Sequence, residues 1–392
     1  MPLTTLDNAQ KRAIATVKET SSRFGLRYPD DTTKENWYPL RPAAGGVSEG
    51  GNHGWTTSFV PGELWLAWEN TGDESFRDAA LQHVASFVER VDEEIDLQTH
   101  DLGFLYLLSC IVPTILTPDA PQADEAKRAA LLAADHLMTR YHKKAGIIQA
   151  WADLSDPEQR GRTIIDSLMN VPLLFWASEQ TGNSRYAEAA TTHLSKLRDY
   201  IIRPDNSTFH AYHFDVETGT ALRGTTQQGY SDSSCWARGQ AWGILGFAMN
   251  YTHTKDPSFI QSSLRCADYY LDHLPKDLIP YWDLVFSDGS EQPRDSSSAA
   301  IAACGLLELA KIVPDRAEEF RTLARRMAES LVANYAPGLD ESNALILHSV
   351  YSFPSGNGID EGCLWGDYFY LELLHRLDRP DWLPYWNLEE SV

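Results

Sequence analysis

A helix that is apolar on every side has to be buried on every side, whereas a helix with one apolar stripe lies at a surface. This chain of 392 residues alternates the two kinds about six times. Residues 55–69, 101–116, 162–180, 236–252, 295–312 and 361–377 are apolar around most of their circumference. Residues 6–24, 73–94, 122–142, 184–202, 256–274 and 315–335 carry a single stripe. The turns between them resemble one another: ENTGDESF at Glu69, EQTGNSRY at Glu179, YTHTKDPSF at Tyr251 and IVPDRAEEF at Ile312. Such a degenerate repeat predicts helical hairpins set side by side. Six hairpins fit an all-α (α/α)6 barrel, a double-layered toroid with the apolar helices inside. Residues 1–392 are read as one catalytic domain of this kind. Strand-like stretches are few; 210–215 and 278–286 are expected to form short hairpins in loops.

Closing the hairpins into a ring has a chemical consequence. All inner helices then run parallel, and their N-termini share one mouth. Trp55, His100, Asp101, Asp166, Trp236, Arg238, Arg294, Asp295, Asp360 and Glu361 lie at or just before those N-termini. Trp151, His210, Gln228 and the segment 352–358 lie in the loops ahead of them. Carboxylates, Arg, His and Trp are therefore expected on one rim, where free helix N–H groups also favour anions.

Two carboxylates stand out on that rim. Asp166 sits in the apolar run GRTIIDSLMNVPLLFWAS, where an ionised group is costly unless partnered. It either caps the first helical turn or is held for chemistry. Asn170 falls one turn later on the same face. In THDLGF, Asp101 precedes the neighbouring inner helix, with the same capping alternative. Two carboxylates in a Trp-lined mouth do not both ionise freely, so one pKa is pushed up. The segment QQGYSDSSCWARGQAWG brings Gln228, Trp236, Arg238, Gln240 and Trp242 together. Trp faces with Gln and Arg suit a sugar: rings stack on its C–H faces while polar groups take hydroxyls and a carboxylate. In FHAYHFDVETG, His210 and His213 are candidate contacts, weighed against ordinary loop histidines. Ser352, Ser355 and Asn357 make a polar loop near the mouth. Trp365, Tyr368 and Tyr370 are expected to pack.

Several function classes are disfavoured. With 55 acidic against 33 basic residues the net charge is −22, which repels nucleic acid and anionic membranes. The longest apolar run, 102–116, contains Pro113 and falls short of a membrane span. The start MPLTTLDNAQKRAIATVK lacks an apolar signal core. Five cysteines without a CxxC indicate a reducing, cytoplasmic setting. There is no HExxH or HxxEH, no GxSxG elbow and no phosphate-cradling Gly loop, so neither metal nor cofactor is expected. A monomer and a homodimer are both compatible with the sequence.

The stretches WTTSFVPGELWLAWE, HDLGF, IIDSLMNVPLLFWA, GYSDSSCWARGQAWG, PRDSSSAAIAACGLLEL and WGDYFYLELL together resemble the unsaturated glucuronyl hydrolases, glycoside hydrolase family 88. They span nearly the whole chain in order, and the family's (α/α)6 barrel agrees with the helical pattern. The resemblance implies that Asp166 is the general acid/base and Asp101, beside His100, the second essential carboxylate. It also implies that Trp55, Trp151, His210, Gln228, Trp236, Arg238 and Trp242 contact substrate. That substrate is a small anionic oligosaccharide released by a polysaccharide lyase, with a 4,5-unsaturated uronic acid at its non-reducing end. Some members recognise sulfate with a Ser-x-x-Ser-x-Lys loop; here it reads Ser352, Ser355 and Asn357, and the cation is missing. Arg238 and the inner-helix N-termini are the candidates for the substrate carboxylate. The alternatives on the same residues are an unsaturated rhamnogalacturonyl hydrolase, an inverting glycosidase using Asp101 and Asp166, and a carbohydrate-binding protein without turnover.

Overall fold

The computed structural model describes residues 5–387. Its α-helices, in chain order, are α1 (Thr5–Phe24), α2 (Phe59–Thr71), α3 (Glu74–Asp92), α4 (Leu102–Tyr106), α5 (Val112–Leu116), α6 (Ala123–Thr139), α7 (Pro172–Thr181), α8 (Arg185–Tyr200), α9 (Ala237–Thr254), α10 (Pro257–Asp272), α11 (Ser296–Ile312), α12 (Ala317–Asn334) and α13 (Leu364–Asp378). A π-helical stretch, Leu107–Ile111, joins α4 to α5, so these three pieces form one rod. It lies just upstream of Pro113, whose missing N–H interrupts the α-helical ladder.

The rods form two concentric layers. The inner ring runs α2, α4–α5, α7, α9, α11 and α13, and α13 packs back against α2. Its members are buried all round: α9 is buried continuously from Ala237 to Asn250 and α11 from Ser296 to Ala310. The outer layer is α1, α3, α6, α8, α10 and α12. In α12 the buried positions are Ala317, Phe320, Ala324, Met327, Ala328 and Leu331, the three- and four-residue spacing of a single stripe. The (α/α)6 toroid expected from the sequence is thus the fold. The repeated turn also has a physical basis. Gly72 and Gly182 end α2 and α7 with φ of 67° and 66°, a left-handed conformation that glycine enters without penalty. The equivalent position after α9 is Lys255, at φ 54°.

The strands all lie in loops. They are β1 (Tyr141–His142), β2 (Ile147–Ile148), β3 (Arg162–Ile164), β4 (Ala211–Phe214), β5 (Ala221–Thr225), β6 (Ser349–Ser352) and β7 (Asn357–Glu361). β1 pairs with β2, β4 lies between β3 and β5, and β6 pairs with β7, all antiparallel. The expected strand at 210–215 is present as β4. Residues 278–286 make no hairpin, only isolated bridges such as Tyr281 to Arg294. Pro280 interrupts a ladder there, and the Asp283 carboxylate takes the Val285 and Tyr230 N–H groups. The segment 352–358, which the sequence alone predicts as a polar loop, is the tip of the β6–β7 hairpin. Among the described residues, no helix is long and apolar enough to cross a membrane. All five cysteines are free and buried.

Candidate active site

Asp166 owes its position to a break in the expected helix. Ile164 is extended, at φ −128°, because β3 pairs with β4. Pro172 then opens α7, as its fixed φ and absent N–H favour a first-turn position. Between them Ile165–Met169 forms a single 3-10 turn carrying Asp166. Residues 162–180 are therefore not one helix. Asp166 lies inside that turn, whose N-cap position is Ile164, and its Oδ1 is sealed from solvent without a hydrogen-bond partner. Asp101 stands at the N-cap of α4, also without a capping bond; its Oδ2 accepts from Thr99 Oγ1 at 2.7 Å. The capping explanation fails for both carboxylates.

Asn170 ties the pair together. Its Nδ2 lies 3.5 Å from Asp101 Oδ1 and 3.4 Å from the Asp166 carbonyl. Its Oδ1 accepts the Phe104 N–H at 2.8 Å. Burial, reinforced by the Asp101 charge and opposed by Arg238, pushes the Asp166 pKa up to about 7. A carboxyl group that holds its proton near neutral pH is suited to general acid catalysis.

Both carboxylates line a cavity of about 470 Å³. Trp55, Trp151 and Trp236 supply aromatic walls, Gln228 and Arg238 polar ones, and Ser352, Ser355 and Asn357 the rim from the β6–β7 hairpin. Ile164, Gln227 and Tyr351 also line it, and none of these was singled out from the sequence. Tyr351 follows from the pairing of β6, whose start at Ser349 is tied to Ser296 of α11.

Three predicted contact residues sit behind the wall. Trp242 is buried in the barrel core, its ring 5.3 Å from Phe369 and 5.4 Å from Phe104. His100 is fully buried, with Nε2 3.3 Å from Asp101 Oδ1; burial pushes its pKa down. His210 lies between Trp151 and Trp236, centroids 6.4 and 4.6 Å away. Its Nδ1 accepts the Gln227 and Gln228 N–H groups at 3.2 and 3.3 Å, and burial holds its pKa at about 3. It is neutral and shapes the Gln227–Gln228 corner through Nδ1, while its buried Nε2 has no partner within the protein. His213 bonds to Thr225. Arg294, Asp360 and Glu361, expected on the rim, bond to Asp277, His348 and Thr33 instead.

Arg238 lines the cavity, yet its charge is already met. Nη1 donates to Asp295 Oδ2 at 3.0 Å and to the Val350 carbonyl at 2.5 Å. Nη2 donates to the Tyr351 carbonyl at 2.7 Å, and Gln228 Nε2 donates to that same oxygen at 2.7 Å. Arg238 thus fastens the hairpin that forms the rim. A second cation, Arg162, lies over the Trp151 ring at 4.1 Å and steadies that wall.

The turn holding Asp166 is braced from the outer layer. His193 of α8 accepts the Ile148 N–H on Nδ1 at 3.0 Å, which leaves Nε2 to donate to Ser167 Oγ at 2.8 Å. Ser167 Oγ in turn donates to the Ile164 carbonyl at 2.6 Å. Among the described residues, no cluster of three or more His, Cys, Asp or Glu side chains is arranged to hold a metal ion.

A helical toroid with a Trp-lined cavity around a raised-pKa carboxylate defines a carbohydrate-active hydrolase. The profile of Glycosyl Hydrolase Family 88 matches residues 36–369, and the chain belongs to that family. The unsaturated chondroitin disaccharide hydrolase of Streptococcus pyogenes serotype M1 is 44% identical over 378 residues, 95% of this chain and 91% of its own. The crystal structure of the unsaturated glucuronyl hydrolase of Streptococcus agalactiae superposes with a TM-score of 0.91 at 41% identity, covering 98% of this chain and 94% of that one. A mutant form of the same enzyme, complexed with dGlcA-GalNAc6S, gives a TM-score of 0.83 at 39% identity, with coverage of 98% and 94%.

Proposed function

We propose that the chain, residues 1–392 as one catalytic unit, is an unsaturated glucuronyl hydrolase. It removes the non-reducing-end 4,5-unsaturated glucuronic acid from glycosaminoglycan-type oligosaccharides. The observation that carries this is Asp166, with its pKa raised to about 7 and its neighbour Asp101 beside it in a sugar-sized, Trp-walled cavity.

Asp166, protonated, donates its proton to C4 of the enol ether, leaving positive charge shared between C5 and the ring oxygen. Water adds at C5 and gives its proton to the Asp166 carboxylate, which restores the acid. The product is a hemiketal at C5; it opens to a ketone and the aglycone leaves from C1. No enzyme nucleophile is needed, and no acid/base pair flanks the glycosidic bond. Asp101 raises the pKa of Asp166 and holds the sugar with Asn170 behind it. Trp55 and Trp236 cover the ring faces, and Gln228 takes polar groups. With Arg238 matched to Asp295, the uronate carboxylate meets neutral donors and the partial positive ends of the inner helices.

The rim residues Ser352, Ser355 and Asn357 carry no cation, which favours an unsulfated aglycone. Five free cysteines support work in a reducing, cytoplasmic compartment. The test follows the ultraviolet absorbance of the conjugated double bond in a hyaluronan-derived unsaturated disaccharide. Loss of absorbance with the native protein and none with Asp166→Asn is the expected result. Unchanged absorbance with the native protein overturns the reading.

A further inference from the structure

Beside the cavity runs a strip of aromatic side chains that the disaccharide chemistry does not use. Phe353 stacks on Trp282 at 4.5 Å and 12°. Trp282 meets Phe286 at 5.7 Å, and Phe286 meets Tyr230 edge-on at 5.3 Å. The strip's rings lie outside the cavity lining, but both ends are close in the chain to residues that line it. Tyr230 comes two residues after Gln228, and Phe353 lies between the rim residues Ser352 and Ser355. The middle is tied to the same wall: Asp283 bridges to Trp236, and the Ala237 N–H donates to the Trp282 carbonyl at 3.1 Å.

The outer end of this strip is open to water. Tyr230 is 61% exposed and Val285 56%, while Trp282 beneath them is 1% exposed. Exposed aromatic rings are ordinarily recruited to the interior or to interfaces. This one is held firmly: the Tyr230 N–H donates to the buried Asp283 carboxylate at 2.9 Å. A rigid aromatic platform next to a sugar cavity suits the apolar C–H face of a pyranose.

We infer that Tyr230 and Val285 form an outer subsite for the sugar that follows the aglycone when the substrate is longer than a disaccharide. This rests on the function proposed above and adds a chain-length preference to it. The polymer emerging from the cavity past Gln228 lays its next pyranose against Tyr230, with Phe286 and Trp282 as backing.

The test compares unsaturated disaccharide and unsaturated tetrasaccharide, both from hyaluronan, on native protein, Tyr230→Ala and Tyr230→Phe. Covering one ring face corresponds to roughly tenfold in affinity. The expected result is that Tyr230→Ala lowers kcat/KM for the tetrasaccharide about tenfold, through KM, and leaves the disaccharide within about twofold. Tyr230→Phe keeps both near native values. Equal losses on the two substrates, or no loss on the tetrasaccharide, overturn the subsite, as does a native protein that cleaves only the disaccharide. A native protein that cleaves neither overturns the proposed function itself.

Discussion

Arg238 Nη1 stands 3.0 Å from Asp295 Oδ2, with both side chains almost wholly excluded from solvent. The pair joins α9 to the N-terminus of α11, and the spare guanidinium donors carry the rim hairpin through Val350 and Tyr351. A buried pair of this kind adds little over an apolar replacement, but removing one partner strands the other charge. Asp295→Asn and Arg238→Met should each destabilise the fold by about 3–5 kcal/mol. Denaturant titration measures this. The double variant should recover part of the loss, since neither charge is then left alone.

Asp166 offers a second prediction, in which activity and stability move in opposite directions. Its folded pKa, about 7, is above the usual aspartate value of 3.8. The native state therefore binds more protons than the unfolded state between those two values. Stability from this group is present in full below about pH 4 and is lost as pH rises through about 7. Asp166→Asn removes the titration. Its Tm should match the native protein near pH 4 and exceed it at pH 8. Its kcat should fall by about 10²–10⁴, the usual contribution of a positioned acid. The native rate itself should decline as pH rises past about 7, as the acid loses its proton.

The bracing of the catalytic turn yields a third. Ser167→Ala removes a single oxygen, yet it releases both His193 and the Ile164 carbonyl. Displacement of a catalytic group by an ångström costs on the order of a hundredfold. Ser167→Ala should lower kcat by roughly tenfold or more with KM little changed, and should shift the alkaline limb of the pH profile set by Asp166. His193→Gln retains a donor near the Nε2 position and should recover more activity than His193→Ala. Steady-state kinetics across pH, alongside Tm, separates this from a simple loss of stability.

How far the chain could be read in advance depended on periodicity. The inner and outer rods follow from burial pattern alone, because an apolar circumference such as that of α11 admits no surface position. Convergence of Asp101, Asp166, Trp236 and Gln228 on one mouth then follows from parallel inner helices. What escaped was set by partners distant in sequence. Arg238 reads as a free cation until Asp295 and the Tyr351 carbonyl are placed beside it. His210 reads as a plain ligand contact, and the two backbone N–H groups that its Nδ1 accepts come from Gln227 and Gln228, seventeen and eighteen residues away. Trp242 lies six residues after Trp236, and at 1.5 Å per residue the helix carries it about 9 Å below the mouth. The Ile165–Met169 turn was hidden because Ile164 is extended only through its pairing with β4.

Away from the cavity, Glu63 and Asp367 form a buried acidic pair under α1. Burial raises both pKa values, and the Asp367 charge adds to the shift on Glu63. Asp367 has partners, in the Tyr38 hydroxyl and the Ile346 N–H, whereas Glu63 Oε1 has none. Both groups titrate above their unfolded values, so they stabilise the fold at low pH and cease to do so as pH rises through their folded pKa. The native Tm should fall between pH 6 and pH 8. Glu63→Gln should flatten that slope and raise Tm at pH 8, with activity on the disaccharide unchanged.

The rim supplies the last prediction. Asn357 is exposed at the start of β7 and lines the cavity beside Ser352 and Ser355. A lysine at this position would put a cation where a sulfated aglycone emerges. A hydrogen bond to a charged group adds about 1.5–3 kcal/mol when shielded, and an exposed ion pair nearer 0–1 kcal/mol. The rim lies between these limits, so Asn357→Lys should shift the ratio of kcat/KM for 6-sulfated over unsulfated disaccharide upward by about 3–10-fold. The gain should shrink as salt is raised from 50 to 500 mM, since the Debye length falls well below the reach of an exposed lysine. An unchanged ratio at low salt would mean that the sulfate leaves the cavity by a path that does not pass Asn357.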